Sequence, residues 1–349
     1  MNEIRIRRRR ATGFIGAVAA VAAIVGVFPA SALAYPTHAG RPAAGGQFKG
    51  IGAFRDRPRE LAFSPDGKVL ATADSDGTAR FWSVATQRQI GAPIKISKVV
   101  AIKNVAYSPD GKVLATADGD GTVRLWNVRT HHQLGAPIAA SKAKVISVAF
   151  SPDGRSLAEA SVTGNVRLWN VATRHQVGKA LSVHGVDLFF VQFSSNGKLL
   201  LTTDSGASAR LWSVATHREV RKPIGRMGHD EVLSAVFSPD GKLIGTSGIG
   251  FGQDRVWNVA TQKQVGKTMQ TGTSDSYGVG FTPDSKVLVT TNTDGAIEQW
   301  SVATSQQIRP AITPTGRHEF GVAALNPAGK LLATTQFDGN AQLWELSKA

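Results

Sequence analysis

The residues that could do chemistry are scattered along this sequence. The pair His131-His132 could contact a metal ion, and residues 245–252, GTSGIGFG, have the glycines of a phosphate-binding loop. The spacing supports neither use, because the histidines lack a third ligand and the glycines precede a predicted strand instead of a helix. No HExxH motif, Walker-type loop or nucleophile elbow occurs. The chain also has no cysteine, which excludes thiol nucleophiles, thiolate metal sites and disulfides.

A repeat sets the elements that would have to position any site. An aromatic residue or a leucine precedes each repeat tryptophan by 19 or 20 residues, and the tryptophans recur every 43 to 45 residues. Such a period indicates an array of similar units, each unable to bury its apolar faces alone. The residues that mark the array are Trp82, Trp126, Trp169, Trp212, Trp257, Trp300 and Trp344.

One unit, residues 145–177, shows what each copy is expected to fold into. Three apolar and β-branched runs and the start of a fourth are separated by turn residues such as Ser-Pro-Asp-Gly. Seven copies of four short antiparallel strands predict an all-β, seven-bladed β-propeller. The repeat tryptophans are then structural residues that pack between blades.

At the stretches FSPDG and DGTVRLWNV the chain closely resembles the WD-repeat family, over about residues 47–346. It departs from the family in that Ser, Asn or Glu, never Asp, follows each tryptophan. The resemblance implies a non-enzymatic scaffold that binds partners. It also implies a hydrogen-bonded chain that ends at the tryptophan, for which the seventh copy has His318, Thr334, Asp338 and Trp344.

Ring closure is predicted from a repeated Gln-aliphatic pair that opens each fourth strand. The last copy lacks this pair, whereas Gln47-Phe48 stands 42 residues before Gln89. We therefore expect Gln47 to Phe54 to form the outer strand of the seventh blade, paired with Gln342 to Leu346. The alternative is that Gln47 to Phe54 continues the preceding linker.

The first 34 residues are typical of an export signal. A cluster of arginines precedes an uncharged stretch, Ala11 to Ala34, that ends in Ala32-Leu33-Ala34. We expect residues 1–34 to be a signal peptide, 35–46 a linker and 47–349 the propeller. The alternative is an uncleaved anchor, because the stretch is long enough to span a bilayer. Either case predicts a protein that is secreted or held on the outer face of the cell membrane.

The charge favours an anionic partner. The formal net charge is +15, and the first 34 residues hold five Arg and one Glu, so the remainder carries about +11. The expected partner is a protein or an anionic cell-envelope polymer. Nucleic acid is a poor fit because aromatic residues do not interleave with the basic ones, and membrane association is expected only if the N-terminal segment stays uncleaved. We expect no cofactor and a monomer.

Positions that break the repeat should carry specificity. The start of each innermost strand and the turn between the second and third strands lie on one rim of the ring. The strand starts and their neighbours are basic in blades one to three and acidic in the rest. Aromatic residues stand at the boundary, of which only one of Phe189 and Phe190 should be exposed. We predict a partner-binding rim made of Arg57, Lys103, Lys144, Asp187, Phe189, Glu231, Phe251, Asp275, Tyr277 and Glu319.

Two further interpretations stay open in the sequence. An arginine recurs two residues before five of the tryptophans, either as an anion-binding ladder or as one structural arginine per blade whose stem covers apolar surface. Alternatively, the ring could be a secreted hydrolase or lyase with a channel metal. Against this enzyme, the innermost strands show no repeated carboxylate or histidine: the positions equivalent to Ser147 are Glu60, Asn104, Phe190, Ser234, Gly278 and Val322.

Overall fold

The computed structural model describes residues 18–19, 25–26, 58–74, 76–96, 101–206, 208–225, 231–249, 253–270, 275–313, 320–336 and 341–346. All regular structure in these ranges is β, in seven consecutive antiparallel sheets and one separate strand pair. This confirms the predicted all-β, seven-bladed propeller. Among the described residues, no helix has the length and apolarity needed to cross a bilayer.

Within each blade, strands that follow one another in the chain are neighbours in the sheet, and the first strand is the innermost. The strand pair consists of β1 (Val18–Ala19) and β2 (Val25–Gly26). Blades 1 and 2 contain β3 (Pro58–Phe63), β4 (Val69–Asp74), β5 (Thr78–Ser83), β6 (Ile94–Lys95), β7 (Ile102–Tyr107), β8 (Val113–Asp118), β9 (Thr122–Asn127) and β10 (Ile138–Ala139). Blades 3 and 4 contain β11 (Val145–Phe150), β12 (Ser156–Ser161), β13 (Asn165–Asn170), β14 (Gln176–Ser182), β15 (Leu188–Phe193), β16 (Leu199–Asp204), β17 (Ser208–Ser213) and β18 (Arg218–Glu219). Blade 5 contains β19 (Glu231–Phe237), β20 (Leu243–Ile249), β21 (Gln253–Asn258) and β22 (Gln264–Gln270). Blade 6 contains β23 (Ser276–Phe281), β24 (Val287–Asn292) and β25 (Ile297–Ser301), and blade 7 contains β26 (Phe320–Leu325), β27 (Leu331–Gln336) and β28 (Ala341–Glu345).

The fourth strands vary in length, and proline explains the difference. Blades 3 and 5 have no proline there, and their fourth strands, β14 and β22, run for seven residues. Blades 1, 2 and 4 carry Pro93, Pro137 and Pro223, and their fourth strands are two residues long. Proline lacks the N–H that a strand needs to donate to its neighbour. Blade 6, with Pro310, keeps only the isolated bridges of Trp300 with Gln307 and Ile297 with Ile312 instead of the predicted fourth strand.

The ring closes through packing between its last and first blades. Leu61 and Leu70 of blade 1 lie in one buried cluster with Val322, Ala333 and Leu343 of blade 7. Burial of such side chains between blades is the main source of stability in this architecture. The predicted outer strand of blade 7, residues 47–54, lies outside the described residues. Its pairing therefore stays a prediction.

A hydrogen bond fixes most of the repeat tryptophans. In six blades the indole Nε1 donates to a threonine hydroxyl of the second strand, over 3.2 Å for Trp82 to Thr72 and 2.8 Å for Trp344 to Thr334. The other four such bonds span 2.9 to 3.2 Å and join Trp126 to Thr116, Trp212 to Thr202, Trp257 to Thr246, and Trp300 to Thr290. The family resemblance implies that residues 318 and 338 extend this hydrogen bond into a longer hydrogen-bonded chain in blade 7. Both residues lie outside the described part of the protein.

Candidate partner-binding rim

A β-bulge marks the rim end of the innermost strands. In blades 1 to 6 the pairing of the first strand with the second shifts register by one residue at the same place. A bulge leaves its extra residue unpaired and re-aims it, and bulges are frequent beside functional sites. The bulged residues differ widely in chemistry: Arg59, Lys103, Ile146, Phe189, Leu233 and Tyr277. Three residues of the predicted rim, Lys103, Phe189 and Tyr277, thus share one structural position.

The strand starts that the sequence singled out also share one position. The carbonyl groups of Lys144, Asp187 and Asp275 accept backbone hydrogen bonds of 3.1, 2.8 and 3.0 Å from Val162, Ser205 and Thr293, in the turns between the second and third strands. Ala101 accepts the equivalent bond from Gly119, over 3.0 Å. In these four blades the start of the innermost strand is therefore held against the adjacent turn of its own blade.

The structure places the predicted rim residues at different depths. Lys144 and Asp187 are exposed, whereas Lys103, Phe189 and Asp275 are half-buried. Beside this half-buried Phe189, Phe190 is only 2% exposed and packs in the core. Glu231 and Tyr277 lie in β19 and β23, and nothing further is described of their side chains. Residues 57, 251 and 319 lie outside the described residues.

The recurring arginines are ion-paired inside their own blades. Arg80 donates to Asp74, Arg124 donates to Asp118, and Arg167 donates to Glu159 over 3.0 Å. The Arg210 guanidinium lies 2.6 Å from Asp204. Arg255 instead contacts the side chains of Gln253 and Thr268. The acids are fully buried, so these arginines neutralise internal carboxylates, which favours a structural role over an anion ladder.

These acids are not among the residues predicted from the sequence, although a signal for them exists. Asp74, Asp118 and Asp204 each end a second strand that has no other charged residue and stand six residues before the arginine. Burial raises the pKa of Asp74 to about 6 and that of Asp118 to about 7, although the partner arginines act in the opposite direction. An acidic residue at the end of a strand without other charges, separated from an arginine by a tight turn, is the pattern that would have predicted the ion pair.

Comparison with protein families now adds an independent observation. Residues 55–83, 97–127 and 133–170 match the family described as "WD domain, G-beta repeat", WD40. The chain carries WD40 repeats in these three places. The three matched stretches include the inner strands of blades 1 to 3, with Lys103 and Lys144 of the rim. No curated protein matches the chain. WD40 propellers generally act as non-enzymatic scaffolds for protein interactions.

A buried chain of polar side chains joins the innermost strands of neighbouring blades. Asn104 donates to Glu60 over 3.2 Å and accepts a 3.0 Å hydrogen bond from the Val148 N–H. Ser147 accepts one of 3.1 Å from the Val191 N–H. Glu60 is fully buried, and burial raises its pKa well above the ordinary value. Within the described residues no group of three or more His, Asp or Glu could hold a metal ion.

Proposed function

We propose that the protein is a non-enzymatic, extracytoplasmic scaffold that binds a partner protein through the rim. The observation that carries this proposal is the bulge in six blades, which places a different residue at one repeated backbone position. Of the bulged side chains that the structure describes, Lys103 and Phe189 are half-buried, whereas Ile146 and Leu233 are buried in the core. The frame is constant from blade to blade while the displayed side chain changes from Lys103 to Phe189. Variation along one edge of a repeated frame is what a recognition surface requires.

The charges of the rim favour a protein over a uniformly anionic polymer. Lys144 and Asp187 are exposed at equivalent positions of adjacent blades, so the surface offers both signs of charge. A polyanion would be repelled by Asp187 and Asp275, whereas a protein can present complementary charges to each blade. Phe189, which is half-buried and stands two residues after Asp187 in the chain, supplies the apolar contact that interface centres usually contain.

The extracytoplasmic location rests on the N-terminal sequence. The arginine cluster, the uncharged stretch and the Ala32-Leu33-Ala34 ending support cleavage after Ala34. Intact mass measurement of the protein recovered outside the cytoplasm tests this point. A chain that begins at Tyr35 is expected, and a full-length chain retained in the membrane would support an anchor instead.

Partner binding is tested by affinity capture from envelope and extracellular fractions, quantified by mass spectrometry. The Lys144→Glu, Asp187→Lys double variant inverts two exposed rim charges and should lose the proteins that the unmodified chain captures. A matched control, Lys112→Glu with Asp153→Lys, makes the same changes at exposed turns on the opposite face and should retain them. Equal capture by all three proteins would contradict the proposed rim.

A further inference from the structure

The face opposite the rim has a different construction. There, the turns between first and second strands form a continuous ring, because each turn glycine abuts the turn of the preceding blade. A Cβ on Gly111 would lie 3.5 Å from Pro65, and one on Gly154 would lie 3.5 Å from Pro109. Between the last blade and the first, a Cβ on Gly67 would lie 3.7 Å from Pro327. We call this ring, with the adjacent third-to-fourth turns, the turn face.

Every blade presents one cation on the turn face. The residue directly after each turn glycine or, in blade 6, after Ser285, is a lysine or arginine, and all seven are exposed. The backbone holds them alike, because the carbonyl of each accepts a hydrogen bond of 2.7 to 3.0 Å from the N–H of the second residue after the repeat tryptophan. The seven cations are Lys68, Lys112, Arg155, Lys198, Lys242, Lys286 and Lys330.

The nearby acids only partly offset this charge. Asp66 lies 3.9 Å from Lys68, at exposed positions where such pairs are weak. Blade 4 has Asn196 and blade 7 has Ala328 at the position of this aspartate. Accordingly, within the described residues no ion pair is seen for Lys198 or Lys330. The third-to-fourth turns add further exposed cations, Arg88, Arg129, Arg218 and Lys263.

Apolar side chains surround the same face. Ile90, Val177 and Val220 are the large apolar residues that the described part of the chain exposes most, at 40%, 41% and 42%. They occupy equivalent positions in blades 1, 3 and 4, directly after the third-to-fourth turns. The turn face therefore combines a ring of cations with an outer set of exposed aliphatic groups, the composition expected of a surface that meets lipid headgroups.

We propose that the turn face docks on a membrane surface rich in anionic lipid headgroups. A plane of headgroups can meet all seven cations at once, whereas a linear polyanion would have to bend around the ring. The cations are mobile point charges on exposed stems, which suits many weak contacts with a fluid surface. The rim, on the opposite side of the disc, then stays available for a partner protein.

The test is sedimentation of the full chain with vesicles made of equal parts phosphatidylglycerol and phosphatidylcholine. Binding should weaken as salt rises, because the attraction is screened. The Lys198→Gln, Lys330→Gln double variant should bind roughly tenfold more weakly. The matched control, Lys95→Gln with Lys142→Gln, removes two exposed cations on the rim side that are not among the predicted binding residues, and it should bind as the unmodified chain does. Circular dichroism checks that each variant is folded.

Three results would overturn the proposal. One is equal binding by the unmodified chain and the Lys198→Gln, Lys330→Gln variant. Another is equal binding to pure phosphatidylcholine vesicles, which would assign the association to the apolar N-terminal stretch. The third is binding to inorganic polyphosphate without binding to vesicles, which would identify the turn face as a polyanion site. Loss of vesicle binding with partner capture retained leaves the rim proposal intact, so the two proposals fail separately.

Discussion

Arg167 donates to Glu159 over 3.0 Å, and this ion pair replaces two contacts that other blades make separately. Glu159 stands where six blades have the threonine that accepts from tryptophan, and Ser161 stands where blades 1, 2 and 4 have the aspartate that pairs with arginine. The Nε1 of Trp169 is accordingly buried without a partner among the described residues. In blade 3, Glu159 therefore neutralises Arg167, and Trp169 lacks the hydrogen bond to a threonine that the other six tryptophans make.

This exchange predicts coupling between two substitutions. Glu159→Thr alone supplies an acceptor for Trp169 but leaves Arg167 without its carboxylate, whereas adding Ser161→Asp restores an acid at the position used in the other blades. The double variant should be more stable than Glu159→Thr alone by about 1–3 kcal/mol. Urea unfolding of the two single variants and the double variant measures the coupling. Strictly additive effects would mean that Arg167 does not change partners.

The tryptophan-to-threonine bond should contribute measurably to stability in blade 7. Thr334→Val keeps the shape of the side chain but removes the acceptor 2.8 Å from Trp344 Nε1, and both residues are buried. A buried donor left unsatisfied costs about 1–3 kcal/mol. The control is Thr216→Val at an exposed turn, where a change within about 0.5 kcal/mol is expected. Similar denaturation midpoints for both variants would show that the hydrogen bond is not needed.

Buried acids should make the protein less stable as pH rises. Burial raises the pKa of Asp254 to about 8, against the opposing effect of hydroxyls of Ser276 and Thr290. In the unfolded chain an aspartate titrates near 3.9. Between these values the folded state binds the extra proton, so the free energy of unfolding falls with increasing pH, by up to about 1.4 kcal/mol per pH unit for this group. Glu159, whose pKa burial raises to about 7, acts in the same direction.

Asp254 is the clearest place to test this pH dependence, because it breaks the repeat. Blades 1, 4 and 7 have alanine at the equivalent position, where Asp254 is fully buried. Asp254→Ala should raise the free energy of unfolding at pH 8 by about 1–4 kcal/mol and reduce its fall between pH 5 and pH 8. The exposed Asp187→Ala should leave that fall unchanged. An undiminished fall in the Asp254 variant would assign the pH dependence to other groups.

The architecture could be predicted from the sequence because the same pattern of strand and turn residues recurs in seven copies. Spacing alone predicts the strands, turns and tryptophan positions. The expectation that one of Phe189 and Phe190 would be exposed is met only in part, because Phe190 is in the core and Phe189 is half-buried. Spacing could not show the bulge, which depends on the register between two strands and leaves no residue type in common at Lys103 and Phe189. The pairing of Asp74 with Arg80 left only an indirect signal in the sequence, an acidic residue at the end of a strand six residues before the arginine, since the two side chains meet only after the strands pair.

Ring closure is the claim on which the rim and the turn face both depend. Leu61 and Val322 are almost fully buried in one cluster between blades 1 and 7, although they are far apart in the chain. A double-mutant cycle with Leu61→Ala and Val322→Ala measures their coupling directly from urea unfolding. The closed ring predicts a coupling energy of about 0.5 kcal/mol or more, with additivity for Leu61→Ala combined with Val191→Ala in distant blade 4. Additive effects for Leu61 and Val322 as well would contradict a ring closed between its first and last blades.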